Sequence, residues 1–256
     1  MQHWLDSFHV FLLILLRVSV MLVVAPIFGH RFYLARAKIG LAFAVSLVVY
    51  PLLAGQQLQV PTALIPYILV MVREVIMGLI LGYVILLLFV GIQFAGQMAG
   101  MQMGFGIVNV FDPQSHSQIS IIARFLNILA ILLVLSLDGH HMVLRGMMAS
   151  FEAVPLGGVV LTAPVMERII MLSAQVFVIA VKISAPMLIC LFLVSVALGI
   201  LARTVPQMNV FIVGFPVQMA IGLTVLVASL PLFQVLLTRA LAMLERDLMA
   251  LVGLFV

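Results

Sequence analysis

Arg203-Thr-Val-Pro-Gln-Met-Asn-Val-Phe-Ile-Val-Gly-Phe-Pro216 places a basic residue, two prolines, an amide pair and a glycine inside one of the most apolar parts of the chain. Backbone of this kind at membrane depth is tolerated only where protein or a water-filled cavity surrounds it. Arg203, Pro206, Gln207, Asn209, Gly214 and Pro216 therefore read as a break inside a multi-helix machine. A passive anchor has no use for them.

The flanking composition sets the class. Of 256 residues, 66% are hydrophobic and 8% are charged, with a mean hydropathy of +1.37. A soluble domain carries roughly 25% charged residues, so the polar surface needed to clothe a water-soluble globule is missing. An integral membrane protein is the reading. The net charge is +4, but the basic residues are dispersed without an aromatic-basic patch. Lipid headgroups are the expected partner, and nucleic acid is not. The single cysteine, Cys190, lies in an apolar run and reads as a small buried hydrophobe. The first apolar run, Phe8–Phe28, follows Asp6 and not a basic segment, so it is expected to remain as a first helix.

Apolar runs continue through Ile39–Leu53, Ile65–Gln93, Ile119–Leu137, Val165–Leu201 and Val210–Leu237. A spanning helix needs roughly 20 apolar residues, so the first of these is short and Ile65–Gln93 and Val165–Leu201 are long. The expectation is an all-α membrane protein of about six helical segments, several of them broken, forming helical hairpins. Continuous runs without alternation argue against a β-barrel. Arg31, Arg36 and Lys38 make the densest basic cluster and would place that loop in the cytoplasm.

Several charges interrupt the apolar runs: Arg17, the neighbours Arg73 and Glu74, Arg124 and Lys182. A charge at the bilayer centre costs about 2.5–3.5 kcal/mol on insertion scales. Such side chains must face protein, water or a partner chain. Pairing between helices or subunits is one reading and a proton relay the other. Glu74 is the single acid in the set, which favours pairing. Arg73 and Glu74 point about 100° apart on a helix and need not pair with each other.

Glycines at four-residue spacing mark close helix approach. Gly78 and Gly82 share a face, and Gly96, Gly100 and Gly104 continue the spacing. The same stretch carries Gln93, Gln97 and Gln102 with Met98, Met101 and Met103. Tight packing, within the chain or against partners, is the first reading. A pore-facing surface with adaptable methionines is the second. With so many internal charges and two glycine faces, one chain of this length is expected to need partner chains to satisfy them.

The ladder ends in Gly104-Phe-Gly-Ile-Val-Asn-Val-Phe-Asp-Pro113. Asp112-Pro113 starts a turn, because the residue before proline resists the helical region. An exposed loop rarely keeps Phe105, Ile107, Val108, Val110 and Phe111 together. A connector is one reading, and a loop that plugs or gaskets a channel is the other. Gly104, Gly106 and Asn109 complete the candidate gating segment. No GxSxG, HExxH, GxGxxG or GxxxxGKS motif is present. Neither an enzyme nor a cofactor site is expected. His140 and His141 are adjacent, so they should point to different helix faces and make a poor metal pair.

Arg203–Pro216 as a whole resembles the signature of the FliR/SpaR/YscT family of type III secretion export components. Gly104-Phe-Gly with Asp112-Pro113, and Asn127 followed by Asp138-Gly-His140, are similar to the flagellar branch, and the resemblance runs over essentially the whole chain. It implies a core component of the flagellar protein export gate in the bacterial inner membrane, at the basal body. It further implies FliP- and FliQ-like partners, FlhB- and FlhA-like neighbours and unfolded flagellar subunits as cargo. A virulence injectisome component is the alternative within the family. The family architecture implies a FliP-like helical part over 1–164 and a FliQ-like hairpin and tail over 165–256, switching near Pro164. The resemblance also implies the plug role for Gly104–Pro113. Outside the family, a secondary transporter should show inverted repeats, which are not seen; a membrane scaffold without transport is the remaining reading.

Overall fold

The computed structural model describes residues 2–29, 34–53, 63–105, 120–205, 207 and 209–255. Among them there are helices and no strands. The order is α1 (Gln2–Val24), α2 (Pro26–Gly29), α3 (Ala35–Leu53), α4 (Leu64–Gln102), α5 (Ile121–Ser136), α6 (Gly139–Ala153), α7 (Ala163–Thr204) and α8 (Val210–Gly253). Five of these are long and apolar enough to cross a membrane, or six if α5 and α6 are taken together as one broken span. The chain is an all-α membrane protein.

The long helices exceed what a bilayer requires. At 1.5 Å per residue, α4 with 39 residues, α7 with 42 and α8 with 44 reach about 60 Å or more, against a hydrocarbon core of about 30 Å. They also differ in what covers them. In α4, 67% of the most apolar window is buried within the chain, against 17% in α7 and 22% in α8. α4 is thus largely covered by its own chain, whereas α7 and α8 keep Phe177, Ile189, Phe192, Leu193, Ile200 and Val227 exposed. Such surface is at home only against lipid or another apolar chain.

The chain forms two compact units, each discontinuous in sequence. Unit 1 is Met1–Leu87, Asp138–Ser173 and Ala242–Val256; unit 2 is Leu88–Leu137 and Ala174–Leu241. In unit 1, α1 lies beside α3, with Phe11 edge-on to Phe43 and Tyr50, and its core holds Leu13, Ile14, Met21, Met77, Leu81 and Phe151. The two ends of the α7/α8 pair meet here, where Arg168 Nη2 donates to Asp247 Oδ1 at 2.7 Å. In unit 2, α4 runs antiparallel to both neighbours. Gly91 faces Ile179 while Phe94 meets Phe177, and Gly96 faces Ala123 while Gly100 faces Ser120.

The break read from Arg203–Pro216 is shorter than expected. Arg203 lies in the last turn of α7, where a cation suits the negative end of the helix dipole. Gln207 and Asn209 lie in the connection, and Pro206 is outside the described residues. Asn209 begins α8: its side-chain oxygen accepts from the Ile212 N–H at 3.4 Å, as a residue before a helix does for an orphan donor. Gly214 and Pro216 are inside α8, as is Pro231. A proline that removes one bond and crowds the preceding turn bends a long apolar helix without ending it.

Candidate functional site

Unit 1 is organised around Arg17, which is fully buried together with Glu74. Arg17 Nε donates to Glu74 Oε2 at 2.7 Å and Nη2 to Oε1 at 3.2 Å. Nη1 donates to the carbonyls of Ser150 at 2.9 Å and Val154 at 3.2 Å. The guanidinium carbon stands 4.4 Å from the Phe151 ring centroid. Glu74 Oε1 also accepts from the Gly157 N–H at 2.6 Å, and the adjacent Arg73 donates to the Gly157 carbonyl at 2.9 Å. The planar fork of arginine fits a carboxylate with two donors and leaves a third for the end of α6. One ion pair thus ties α1 to α4 and satisfies carbonyls where α6 ends. Arg73 and Glu74 both reach Gly157, yet the ion-pair partner of Glu74 is Arg17, 57 residues away.

The glycines carry α4 against α1 along the same face. A Cβ at Gly78 would lie 2.5 Å from the Arg17 carbonyl oxygen, and one at Gly82 would lie 2.7 Å from Val24 Cβ. Glu74, Gly78 and Gly82 are spaced by four, so they align. The two helices run side by side in the same direction. The expectation that these charges and glycine faces need partner chains is corrected for Arg17, Glu74, Gly78, Gly82, Gly96 and Gly100. Each finds its neighbour within the chain, because the helices are long enough to fold back on α4. Arg124 and Lys182 differ: both are exposed, and among the described residues neither side chain has a hydrogen-bond or ion-pair partner.

Unit 2 gathers the roots of the candidate gating segment. The described part is Gly104 and Phe105; Gly106, Ile107, Val108, Asn109, Val110, Phe111, Asp112 and Pro113 lie outside the described residues, as does Arg31 of the basic cluster. On the return side, the Ser120 N–H donates to Gln97 Oε1 at 3.0 Å. A Cβ at Gly100 would overlap Ser120 Oγ, and one at Gly96 would overlap the Ala123 backbone. On the departing side, Gly104 has φ +88°, and a Cβ there would come within 2.9 Å of the Phe215 ring. Met103 is fully buried against Gly222, where a Cβ would stand 2.6 Å from Met103 Cγ. Phe215 and Gly222, seven residues apart on one face of α8, therefore grip the end of α4. Two stretches of sequence that read as separate motifs, Gly104-Phe-Gly and Gly-Phe-Pro216, meet at this point. No spacing rule could have joined residues more than a hundred positions apart.

Gly104→Val is expected to destabilise the chain by about 1–3 kcal/mol, since a β-branched residue at positive φ is strained and its side chain would collide with Phe215. Denaturant unfolding of the purified chain in detergent checks this. Phe215→Ala, which opens space but leaves φ unchanged, should recover only part of the loss.

At the start of α6, the expectation that His140 and His141 diverge is corrected. Their ring centroids are 4.2 Å apart with planes tilted by 38°. Adjacent Cβ atoms do leave a helix about 100° apart, but in a first turn no preceding helical turn holds the imidazoles away from each other.

Among the described residues, these features define an all-helical membrane protein with a self-satisfied buried ion pair, a close contact at the loop root and long helices, α7 and α8 among them, that the chain leaves largely uncovered. The family described as Bacterial export proteins, family 1, matches residues 8–244, and the chain belongs to it. It is 34% identical to the flagellar biosynthetic protein FliR of Bacillus subtilis (strain 168) over 260 residues, covering 99% of each chain. It is 29% identical to FliR of Escherichia coli (strain K12), over 90% of this chain and 88% of that one. With FliR of Pectobacterium carotovorum subsp. carotovorum the identity is 32%, over 84% and 82%.

Proposed function

We propose that this chain is a core component of the flagellar type III protein export gate, through which unfolded flagellar subunits cross the bacterial inner membrane at the basal body. The observation that carries the reading is the full-length similarity to FliR of Bacillus subtilis. The curated relatives named above are flagellar proteins, which favours the flagellar branch over a virulence injectisome. FliP- and FliQ-like membrane proteins would cover the exposed faces of α7 and α8, with FlhB- and FlhA-like components alongside. The chain after Ala163 consists of two long helices, which supports reading 165–256 as a FliQ-like hairpin and 1–164 as the FliP-like part. Of the cations that interrupt the apolar runs, Lys182 and Arg124 are available to partner carboxylates, since unpaired cations on apolar helices are costly.

In this reading Gly104–Pro113 is the plug. Gly104, where the segment begins, lies against Phe215 of α8, and an apolar constriction formed by the segment would block ions by dewetting. Deleting Phe105–Phe111 should leave the assembled complex intact and make membranes leaky to small ions. Conductance across bilayers carrying the complex is the measurement; a deletion complex as tight as wild type makes the segment a connector. Copurification tests the assembly itself. Two further helical membrane proteins should accompany the tagged chain when it is extracted from the source membrane in mild detergent, and their absence would count against the reading.

A further inference from the structure

The start of α6 collects three donor groups that neither the Arg17 network nor the loop root uses. We propose that Asp138, His140 and His141 form a binding site for one divalent transition-metal ion of the zinc class. One donor atom from each of the three lies within 4.8 Å of the others, and His141 Nδ1 stands 3.5 Å from Asp138 Oδ1. Ligands held about 2.0–2.2 Å from a tetrahedral zinc ion are themselves about 3.4 Å apart. The Asp–His141 edge therefore has the required length already, and side-chain rotation closes the rest.

Three further details point the same way. Asp138 precedes α6 in the left-handed conformation, with φ 56° and ψ 25°, and its side chain makes no capping bond. Aspartate at that position ordinarily accepts from the first turn; here the backbone carbonyl takes the His141 N–H at 2.9 Å and the carboxylate turns to the imidazole. His140 Nδ1 is buried without a hydrogen-bond partner among the described residues, a state that a buried polar atom does not keep without cost. The two rings converge to 4.2 Å instead of diverging. The positive end of the α6 dipole disfavours a lone cation, and the Asp138 carboxylate offsets it. Two imidazoles and one carboxylate select zinc-class ions over calcium or magnesium, which prefer all-oxygen shells. Asp138 and His141 are exposed, which gives the ion an entry path and leaves room for water as a fourth ligand. A bound ion would clasp the first turn of α6.

The test uses the full chain in detergent, carrying an affinity tag without histidine and stripped with chelator. Zinc is titrated in competition with a chromophoric chelator, and cobalt is used as a spectroscopic probe. One ion per chain is expected, with a cobalt spectrum of nitrogen and oxygen ligation that lacks the thiolate band Cys190 would give. The His140→Gln/His141→Gln double variant should bind on the order of 100-fold more weakly, because loss of metal ligands exceeds the 10–100-fold typical of their supporting shell. Absence of zinc binding overturns the proposal. So does unchanged affinity in the double variant, since six histidines are present in all and the ion would then sit on others. Should that variant fail to fold, diethyl pyrocarbonate modification of the wild-type chain decides. Zinc should protect both His140 and His141, and equal modification with and without zinc rejects the site. The export reading stands or falls separately.

Discussion

Arg17→Ala is expected to cost about 3–5 kcal/mol, enough to lower the yield of folded chain sharply. Breaking a buried pair leaves the other charge uncompensated, and Glu74 has no exposure to water. The loss is compounded because Arg17 also satisfies the carbonyls of Ser150 and Val154. Arg17→Lys should rescue poorly: an ammonium cannot offer the parallel donors that meet both Glu74 oxygens while a third reaches the end of α6. The sign of the pairwise term can be read from the joint replacement Arg17→Leu/Glu74→Leu. Removing both charges should be milder than removing Arg17 alone, because no buried ion is then left unpaired. Unfolding in detergent for the three variants gives the comparison. A single Arg17→Ala variant that unfolds like wild type would show that water reaches Glu74 and that the pair is dispensable.

Gly96→Leu is expected to have the second largest effect. A Cβ at Gly96 would overlap Ala123 at the backbone of α5, so the two helices must separate and no side-chain rotation relieves the clash. Overpacking of this kind typically costs 1–3 kcal/mol or more. It would also pull Ser120 from Gln97, and with it one root of the gating segment. Gly100→Leu should act similarly through Ser120, whereas Gly199→Leu should be nearly silent, because nothing lies within 4 Å of a Cβ there. Protease resistance and yield of the isolated chain after detergent extraction separate these variants. Equal yield for all three would mean that the glycine face of α4 is not a packing face.

How much of this was legible in the sequence depends on distance along the chain. Run length and charge gave the class, because the hydrophobic requirement of a membrane helix is written locally. The glycine spacing gave the packing face of α4, because a four-residue repeat is also local. Partners were not legible. Glu74 meets Arg17 and Gly157, and Gly104 meets Phe215, through tertiary folding that no periodicity encodes. Pro216 read as part of the break, yet α8 continues through it; proline weakens a turn, and a helix of 44 residues absorbs that loss. Asn209 read as part of the break, and its amide oxygen accepts from the first turn of α8. His140 and His141 were separated by an ideal-helix argument that does not hold in a first turn.

The separation between satisfied and unsatisfied charges also orders the mutations. Arg17 and Glu74 belong to folding, and their replacement should reduce the amount of chain. Arg124 and Lys182 are exposed on apolar helices. In the export reading Lys182→Ala should leave the isolated chain as stable as before and weaken copurification of its partners, with an effect confined to assembly.

The most direct measurement is secretion itself. In the source bacterium the coding region is deleted without disturbing its neighbours, and flagellar hook and filament subunits are quantified in the medium and in the cells. An export-gate component predicts their loss from the medium, their retention inside the cells and recovery of both when the wild-type chain is supplied on a plasmid. Undiminished secretion of flagellar subunits from the deletion strain would contradict the account.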